Sequence, residues 1–203
     1  MKQIKQILEA LLFSVNEPVG IKKLLAVVQS VEPLQKQDLQ KILNEMREEY
    51  LESDGCFQLD EIAEGYQLRT KMEYSSYVEM LHRNVKKERL SHAGSEVLSI
   101  VAFKQPVTRA QIDEIRGVDS SGILHTLQER ELVENVGKLD VPGRPSLYGT
   151  TKKFLIHFGL RDLDELIEGT KKATEESSRL VTDESLSSSA ATAAATAAAA
   201  FTS

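Results

Sequence analysis

A succession of helices and strands that occurs twice limits this chain to a duplicated fold. Glu17-Pro18-Val19 aligns with Gln105-Pro106-Val107, and Leu24 aligns with Ile112 at the same offset (105 − 17 = 88 positions). Each match is short, but both lie at equivalent places in the two halves, which have the same predicted order of helices and strands. Self-similarity at a fixed period indicates repeated structural modules. The sequence therefore predicts two copies of one small module.

The first module begins with three predicted helices. The first carries an apolar stripe at i, i+3, i+4 spacing, typical of an amphipathic helix. The members of this stripe are Ile4, Ile7, Leu8, Leu11, Leu12 and Val15. Shorter stripes over 21–28 and 39–50 predict the next two helices. Alternating residues over 57–70, interrupted by a turn at 63–65, predict a β-hairpin, and the capping-box pattern TKME at 70–73 predicts a further short helix.

The second module repeats this order. Residues 95–103 are predicted to form its first helix, and the capping box TRAQ at 108–111 opens the second. Gly117 suits the C-terminal cap of that helix, and Asp119 suits the N-terminal cap of the third. The remaining predicted elements are strands over 132–136 and 146–150 and a final helix over 152–158.

Three helices followed by a hairpin are typical of the winged-helix version of the helix-turn-helix. The predicted fold class is therefore mainly α with small β-hairpin wings (α+β), arranged as two tandem winged-helix domains. The predicted domains span residues 1–85 and 89–168 and are separated by a polar linker at 84–89. Residues 169–203 end in a low-complexity run of Ala, Thr and Ser, and we expect them to lie outside the fold.

The composition favours a cytoplasmic protein. Cys56 is the single cysteine, so no internal disulfide forms, as is usual in a reducing compartment. No apolar run approaches the roughly 20 residues that a membrane span requires. We therefore expect a cytoplasmic location without a membrane anchor.

The sequence contains no arrangement typical of a catalytic or metal centre. Its 4 histidines have no metal-ligand spacing such as i, i+4. Gly117 and Gly122 have the spacing of a phosphate-binding loop, but Ile123 and Leu124 stand where that loop needs Lys and Ser or Thr. We therefore predict no enzymatic activity, no cofactor and no bound metal.

The distribution of charge argues against DNA, the usual ligand of winged helices. The net charge is −6, whereas affinity for DNA comes largely from Lys and Arg on phosphates. The third helix of each module, which would enter the major groove, is acidic over 34–50 and over 119–131. Some basic residues of the second module leave open a minor DNA contact or a patch for an acidic partner. These residues are Arg109, Arg116, Lys138, Arg144, Lys152 and Lys153.

Several motifs resemble one bacterial family. Residues 102–120 read AFKQPVTRAQIDEIRGVDS, and residues 140–151 read DVPGRPSLYGTT. Shorter matches are EGYQLRT at 64–70, FGL at 158–160 and LDEL at 163–166. Together and in this order, over about residues 4–168, these motifs closely resemble the segregation and condensation protein B family.

The resemblance implies a non-catalytic accessory subunit of the bacterial condensin complex, built of two winged-helix domains. Members of this family homodimerise, largely through the N-terminal domain, and bind the kleisin subunit, segregation and condensation protein A. That kleisin bridges the heads of the chromosome-structuring ATPase. The resemblance therefore implies a nucleoid-associated location, a role in chromosome condensation and segregation, and at most weak direct contact with DNA.

The candidate kleisin-binding residues lie in the second module. They are Val107, Thr108, Arg109, Ile112, Ile115, Arg116, Val118, Arg144 and Tyr148. The apolar members exceed what one short helix readily buries, so part of the set is available to a partner and the rest forms core. Arg109 and Arg116 are seven positions apart and share a helix face, where they either flank a kleisin groove or keep the surface soluble.

The candidate dimer contacts, Ile4, Leu8 and Leu11, lie on the first helix. The apolar stripe of that helix is wide enough for both core and a second subunit, although a core role alone fits the spacing equally well. A two-fold dimer would use the same patch on both chains. The alternative function is that of a winged-helix DNA-binding transcription regulator, which the two acidic recognition helices disfavour.

Overall fold

Each half of the chain contains three helices and a three-stranded antiparallel sheet, followed by further helices, in the computed structural model, which describes residues 2–82 and 90–180. The chain divides into two compact units. The first contains the described residues up to His82 together with Gly159–Asp162, and the second contains Leu90 to Phe158 and the residues from Leu163. Both units have the helix and strand order of a winged helix, so the predicted fold class is confirmed.

The first unit has the element order α-β-α-α-β-β, followed by a short helix. Its elements are α1 (Lys2–Phe13), β1 (Val19–Gly20), α2 (Ile21–Val28), α3 (Lys36–Glu52), β2 (Phe57–Ile62), β3 (Gly65–Thr70), a 3-10 turn (Met72–Tyr74) and α4 (Ser75–Leu81). The β2–β3 hairpin has a tight turn in which Ala63 and Glu64 both have positive φ. A turn with two positive φ values matches the right-handed twist of the strands that flank it.

The core of the first unit consists of the apolar stripes of its three helices and the inner face of the hairpin. Its buried members are Ile4, Leu8, Leu12, Val19, Leu24, Val28, Leu39, Ile42, Leu43, Met46, Leu59 and Tyr66. In α1 and α3 the buried residues recur every three to four positions. The apolar spacing that predicted these helices therefore also identifies the face that each helix buries.

The second unit repeats the order α-β-α-α-β-β. Its elements are α5 (His92–Lys104), β4 (Val107–Thr108), α6 (Arg109–Arg116), α7 (Ser121–Glu129), β5 (Val133–Lys138), β6 (Ser146–Thr150), α8 (Lys152–Phe158) and α9 (Leu163–Leu180). As predicted, α6 begins with a complete capping box between Thr108 and Gln111 and ends at Gly117, which is left-handed with a φ of 72°. Fully buried Ile112 and Phe154 fix α6 and α8 to the core.

The sequence did not predict the third strand of either sheet. In the first sheet, β1 pairs with β3 and Val19 lies opposite Tyr66. In the second, β4 pairs with β6 and Val107 lies opposite Tyr148. Each added strand has only two residues, which is too short to show the alternation by which strands are recognised.

Other differences concern helix boundaries. The capping box predicted at 70–73 is wrong, because Thr70 is the last residue of β3 and lies opposite Phe57, and Lys71 caps the 3-10 turn without a side-chain hydrogen bond. The third helix of the second module is capped at Ser120 rather than Asp119. Helix α9 extends over residues 169–180 of the expected tail. The predicted linker at 84–89 and the remaining tail at 181–203 lie outside the described residues.

The short segment Gly159–Asp162, which the sequence assigned to the second domain, groups with the first unit. The backbone N–H of Ala63 donates to the carbonyl oxygen of Leu160 at 2.8 Å, and that of Glu64 donates to the carbonyl of Arg161 at 3.3 Å. These bonds satisfy the backbone of the β2–β3 turn. Within the described parts of the chain, no helix has the combination of length and apolarity needed to cross a bilayer.

Candidate protein-interaction surfaces

The junction between β4 and α6 is held rigidly by its capping box. The backbone N–H of Gln111 donates to Oγ1 of Thr108 at 3.3 Å, and the backbone N–H of Thr108 donates to Oε1 of Gln111 at 2.9 Å. Thr108, Val107 and Ile112 are all buried. These three candidate kleisin contacts therefore form part of the core, and their side chains support the surface without being exposed on it.

A polar network ties α6 to the helices on either side of it. The Nε of Arg116 donates to Oε2 of Glu96 on α5 at 3.0 Å, and its Nη1 donates to Oγ of Ser120 at 2.9 Å. The backbone N–H of Ser120 donates to Oδ1 of Asp113 at 2.8 Å. The side chain of Arg116 is only 6% exposed. The guanidinium is therefore engaged inside the unit, and little of this side chain is left for a partner to contact.

Arg109 is the exposed arginine of this region. Its side chain is 56% exposed, and its Nε lies 3.7 Å from Oδ2 of Asp113. The pKa of Asp119 is held below its usual range, chiefly by the hydrogen bond from the hydroxyl of Ser121 and also by the charge of Arg109. Arg109 therefore adds a positive charge, partly balanced by two carboxylates, to the corner between α6 and α7.

Two apolar side chains are exposed at this corner. Ile115 is 54% exposed at the last turn of α6, and Val118 is 57% exposed just after Gly117. We call residues 115–119 together with Arg109 the α6–α7 corner. The corner combines exposed apolar groups with a balanced set of charges, a composition suited to a small protein-binding patch.

The last two candidates lie in the wing of the second unit. Arg144 is exposed, has a positive φ of 39° and donates its backbone N–H to the carbonyl of Val141 at 2.8 Å. Tyr148 is half-buried in β6, between Val107 of β4 and Asn135 of β5. Of the nine candidates, Arg109, Ile115, Val118 and Arg144 are thus the exposed ones.

The candidate dimer contacts on α1 are mostly core. Ile4 and Leu8 are buried within the first unit, and only Leu11 is partly exposed. The side chains of Ile4 and Leu8 therefore have almost no surface left to offer to a second subunit. The core alternative, which the spacing also allowed, is the one that the packing supports.

The outer surfaces of α1 and α3 line a cleft of about 320 Å³. The hydroxyl of Tyr50 donates to Glu9 at 2.6 Å, and burial together with this bond raises the tyrosine pKa. Lys5 contacts Glu49 at 2.6 Å and Glu45 at 3.0 Å, and both carboxylates raise the lysine pKa. The polar groups at this cleft are therefore already paired with one another, and its three carboxylates outnumber the one lysine.

Sequence reasoning missed Glu96 as the partner of Arg116. The signal was present, because Glu96 is the only carboxylate in α5 and it lies between buried Ser95 and Val97. A single acidic residue in such a buried stretch predicts a nearby positive partner. Among the described residues, no group of three or more His, Cys, Asp or Glu side chains is arranged to hold a metal ion.

Comparison with known proteins gives consistent matches. The family model described as segregation and condensation complex subunit ScpB matches residues 6–169. The chain is 45% identical over 183 residues to segregation and condensation protein B of Syntrophotalea carbinolica, covering 89% of this chain and 90% of that protein. It is 46% identical over 160 residues to the protein of the same name from Clostridium tetani, covering 79% and 82% of the two chains.

Two solved structures are also similar in sequence. ScpB from Mycobacterium tuberculosis is 31% identical, with 78% of this chain and 96% of that chain covered and a TM-score of 0.37. A dimer of an ScpB N-terminal domain complexed with ScpA peptide is 26% identical, with 39% and 95% covered and a TM-score of 0.36.

Proposed function

The chain belongs to the ScpB family of segregation and condensation complex subunits, and from this we propose that it is a non-enzymatic, dimeric subunit of the bacterial condensin complex. Its direct partner is the kleisin subunit, segregation and condensation protein A, through which it is linked to the chromosome-structuring ATPase. It acts at the nucleoid, in the cytoplasm, in chromosome condensation and segregation. The observation that carries the proposal is the family match, which extends over both winged-helix units.

The α6–α7 corner is the proposed kleisin contact in the second unit. It offers Ile115 and Val118, each more than half exposed, beside the charge of Arg109. The hydrogen bonds of the Arg116 side chain connect α5, α6 and the start of α7, so the exposed side chains are presented by a rigid frame. A rigid apolar patch binds a partner with little loss of conformational entropy.

The charges of the recognition helices support a protein ligand over DNA. Helix α3 carries Lys36, Lys41 and Arg47 against five carboxylates, and α7 carries Glu129 with no Lys or Arg. Phosphates are bound mainly by Lys and Arg. Two recognition helices with an acidic balance would repel the DNA backbone, which also disfavours the alternative function of a transcription regulator.

The ScpA peptide of the solved relative accompanies a dimer of its N-terminal domain. By analogy, the first unit of this chain provides a second kleisin-binding site in addition to the α6–α7 corner. The proposal therefore includes dimerisation through the first unit and is tested with the full chain.

A binding titration with the candidate kleisin tests the proposed contact. Ile115→Asp should raise the Kd about tenfold or more, because burying such a side chain contributes about 1.5–3 kcal/mol. The matched control is Ala110→Asp, which adds the same charge at an exposed position in the first turn of the same helix. Unchanged affinity in Ile115→Asp, with normal binding by wild type, would move the kleisin contact away from the α6–α7 corner.

A further inference from the structure

A short segment from late in the chain contacts the tip of the first wing, the β2–β3 hairpin. Residues Gly159–Asp162 follow α8 in the sequence but group with the first unit. We call these four residues the strap. The backbone N–H groups of Ala63 and Glu64 donate to the carbonyl oxygens of Leu160 and Arg161 of the strap, at 2.8 and 3.3 Å. Two consecutive donors of the turn are therefore paired with two consecutive acceptors of the strap.

The tip of this hairpin is covered to an extent that is unusual for a turn. Ala63 is 2% exposed and Ile62 is 1% exposed, whereas connecting turns almost always lie on the protein surface. Both residues stand apart from the core that the three helices form with the inner face of the hairpin. Because the strap backbone lies within hydrogen-bond distance of this turn, the strap is part of what covers it.

The strap itself lies close to the surface. Of its four residues, all of which the structure describes, none is buried, and Arg161 is exposed. Segments whose hydrogen bonds lie near solvent and whose side chains are not buried open locally at a lower free energy than core elements do. By contrast, Leu39 and Leu43 of α3 have no exposed surface. The strap is therefore expected to open while α3 remains packed.

Gly159 begins the strap in a conformation that suits glycine. Its φ of 67° lies in the left-handed region, which glycine adopts freely and other residues disfavour. A Cβ at this position would also lie 3.0 Å from Nη1 of Arg69 on β3. The same Nη1 lies 3.6 Å from Oδ2 of Asp60 on β2, so the guanidinium is already engaged with the hairpin. Gly159 is thus the residue through which a small substitution acts most directly on the docked strap.

We propose that the strap is a latch on the first wing, an inference that does not depend on the proposed function. In the docked state the strap holds the backbone of Ala63 and Glu64, and in the open state that turn is released while the helical core stays folded. The next residue, Gly65, is fixed from the other side, because a Cβ there would lie 3.1 Å from atoms of Pro18 and Val19. The release is therefore confined to the two residues of the turn.

Native-state hydrogen exchange of this 203-residue chain, followed by NMR, tests the latch. In the wild type, the amides of Ala63 and Glu64 should be protected but should exchange faster than the central amides of α3. Gly159→Ala should speed their exchange about tenfold, because the left-handed strain and the approach to Arg69 are relieved in the open state. The matched control Gly169→Ala, inside α9 with nothing within 4 Å of the added Cβ, should leave these two amides unchanged.

Tryptic cleavage after exposed Arg161 provides a second measurement. The open strap is the better substrate, so Gly159→Ala should be cut faster at this bond than the wild type or Gly169→Ala. Equal cleavage in the three proteins, or equal exchange at Ala63 and Glu64 in the wild type and Gly159→Ala, would overturn the latch. Unprotected Ala63 and Glu64 amides in the wild type would overturn it as well. A rise in exchange that extends equally to α1 and α3 would also overturn it, because the strap would then be an inseparable part of the core.

Discussion

At the residue scale, Arg109 and Arg116 have different environments although their spacing predicts that they share one helix face. Both belong to α6 and stand seven positions apart, as two groups on one face would. The side chain of Arg116 is largely covered and hydrogen-bonded to Glu96 and Ser120, whereas Arg109 is exposed beside Asp113. The partner on α5, 20 positions earlier, could not be read from local sequence, because tertiary packing decides which arginine is covered.

Replacing Arg116 should therefore destabilise the second unit. Arg116→Met keeps the aliphatic stem but removes two hydrogen bonds, one of them to a charged group, and we expect a loss of about 2 kcal/mol in the free energy of unfolding. The control Arg109→Met should cost less than about 1 kcal/mol, because its pair is solvent-exposed. Urea unfolding followed by circular dichroism measures both. Equal losses in the two variants would contradict the structural role of Arg116.

At the scale of elements, the two-residue strands β1 and β4 were the least predictable part of each unit. The hairpins and most helices followed from period and capping signals, and the α6 capping box and the cap at Gly117 were found as predicted. The two-residue strands β1 and β4 were not predicted. Each forms because the neighbouring strand, β3 or β6, has a free edge with which it can pair. The capping pattern at Thr70 misled because the hairpin extends to that residue, so strand pairing overrode the local helix signal.

The second wing depends on a close approach at Gly149. A Cβ there would lie 2.9 Å from both Oε1 of Gln105 and Cγ1 of Val136. The same Gln105 oxygen accepts the backbone N–H of Thr150 at 2.7 Å, which anchors β6 to the end of α5. Gly149 is thus a position where only the smallest residue fits.

Gly149→Ala should lower the free energy of unfolding by about 1–3 kcal/mol, because overpacking displaces Gln105 or Val136. The control Gly122→Ala lies inside α7 with nothing within 4 Å of the added Cβ. That variant should stabilise the protein by about 0.5–1 kcal/mol, since alanine loses less backbone entropy in a helix. Thermal unfolding of both variants checks the contrast, and a neutral Gly149→Ala would show that the close approach is relieved without cost.

At the scale of the whole molecule, the duplication explains both the length and the charge of the chain. Two winged-helix units occupy most of 203 residues, and their recognition helices carry an acidic balance. The sequence predicted this architecture because Pro18 and Pro106 mark equivalent places in both modules. It could not predict which apolar residues stay exposed. Exposed Ile115, Val118 and Leu81 are distinguished from core positions only by the packing around them.

We propose above all that this chain is a dimeric subunit that binds the kleisin. The most direct test is to mix this 203-residue chain with the candidate segregation and condensation protein A and to measure the mass of the eluting species by light scattering. We expect a single complex heavier than the kleisin by two copies of a 22.6 kDa chain. Separate elution of the two proteins at micromolar concentrations would contradict the claim.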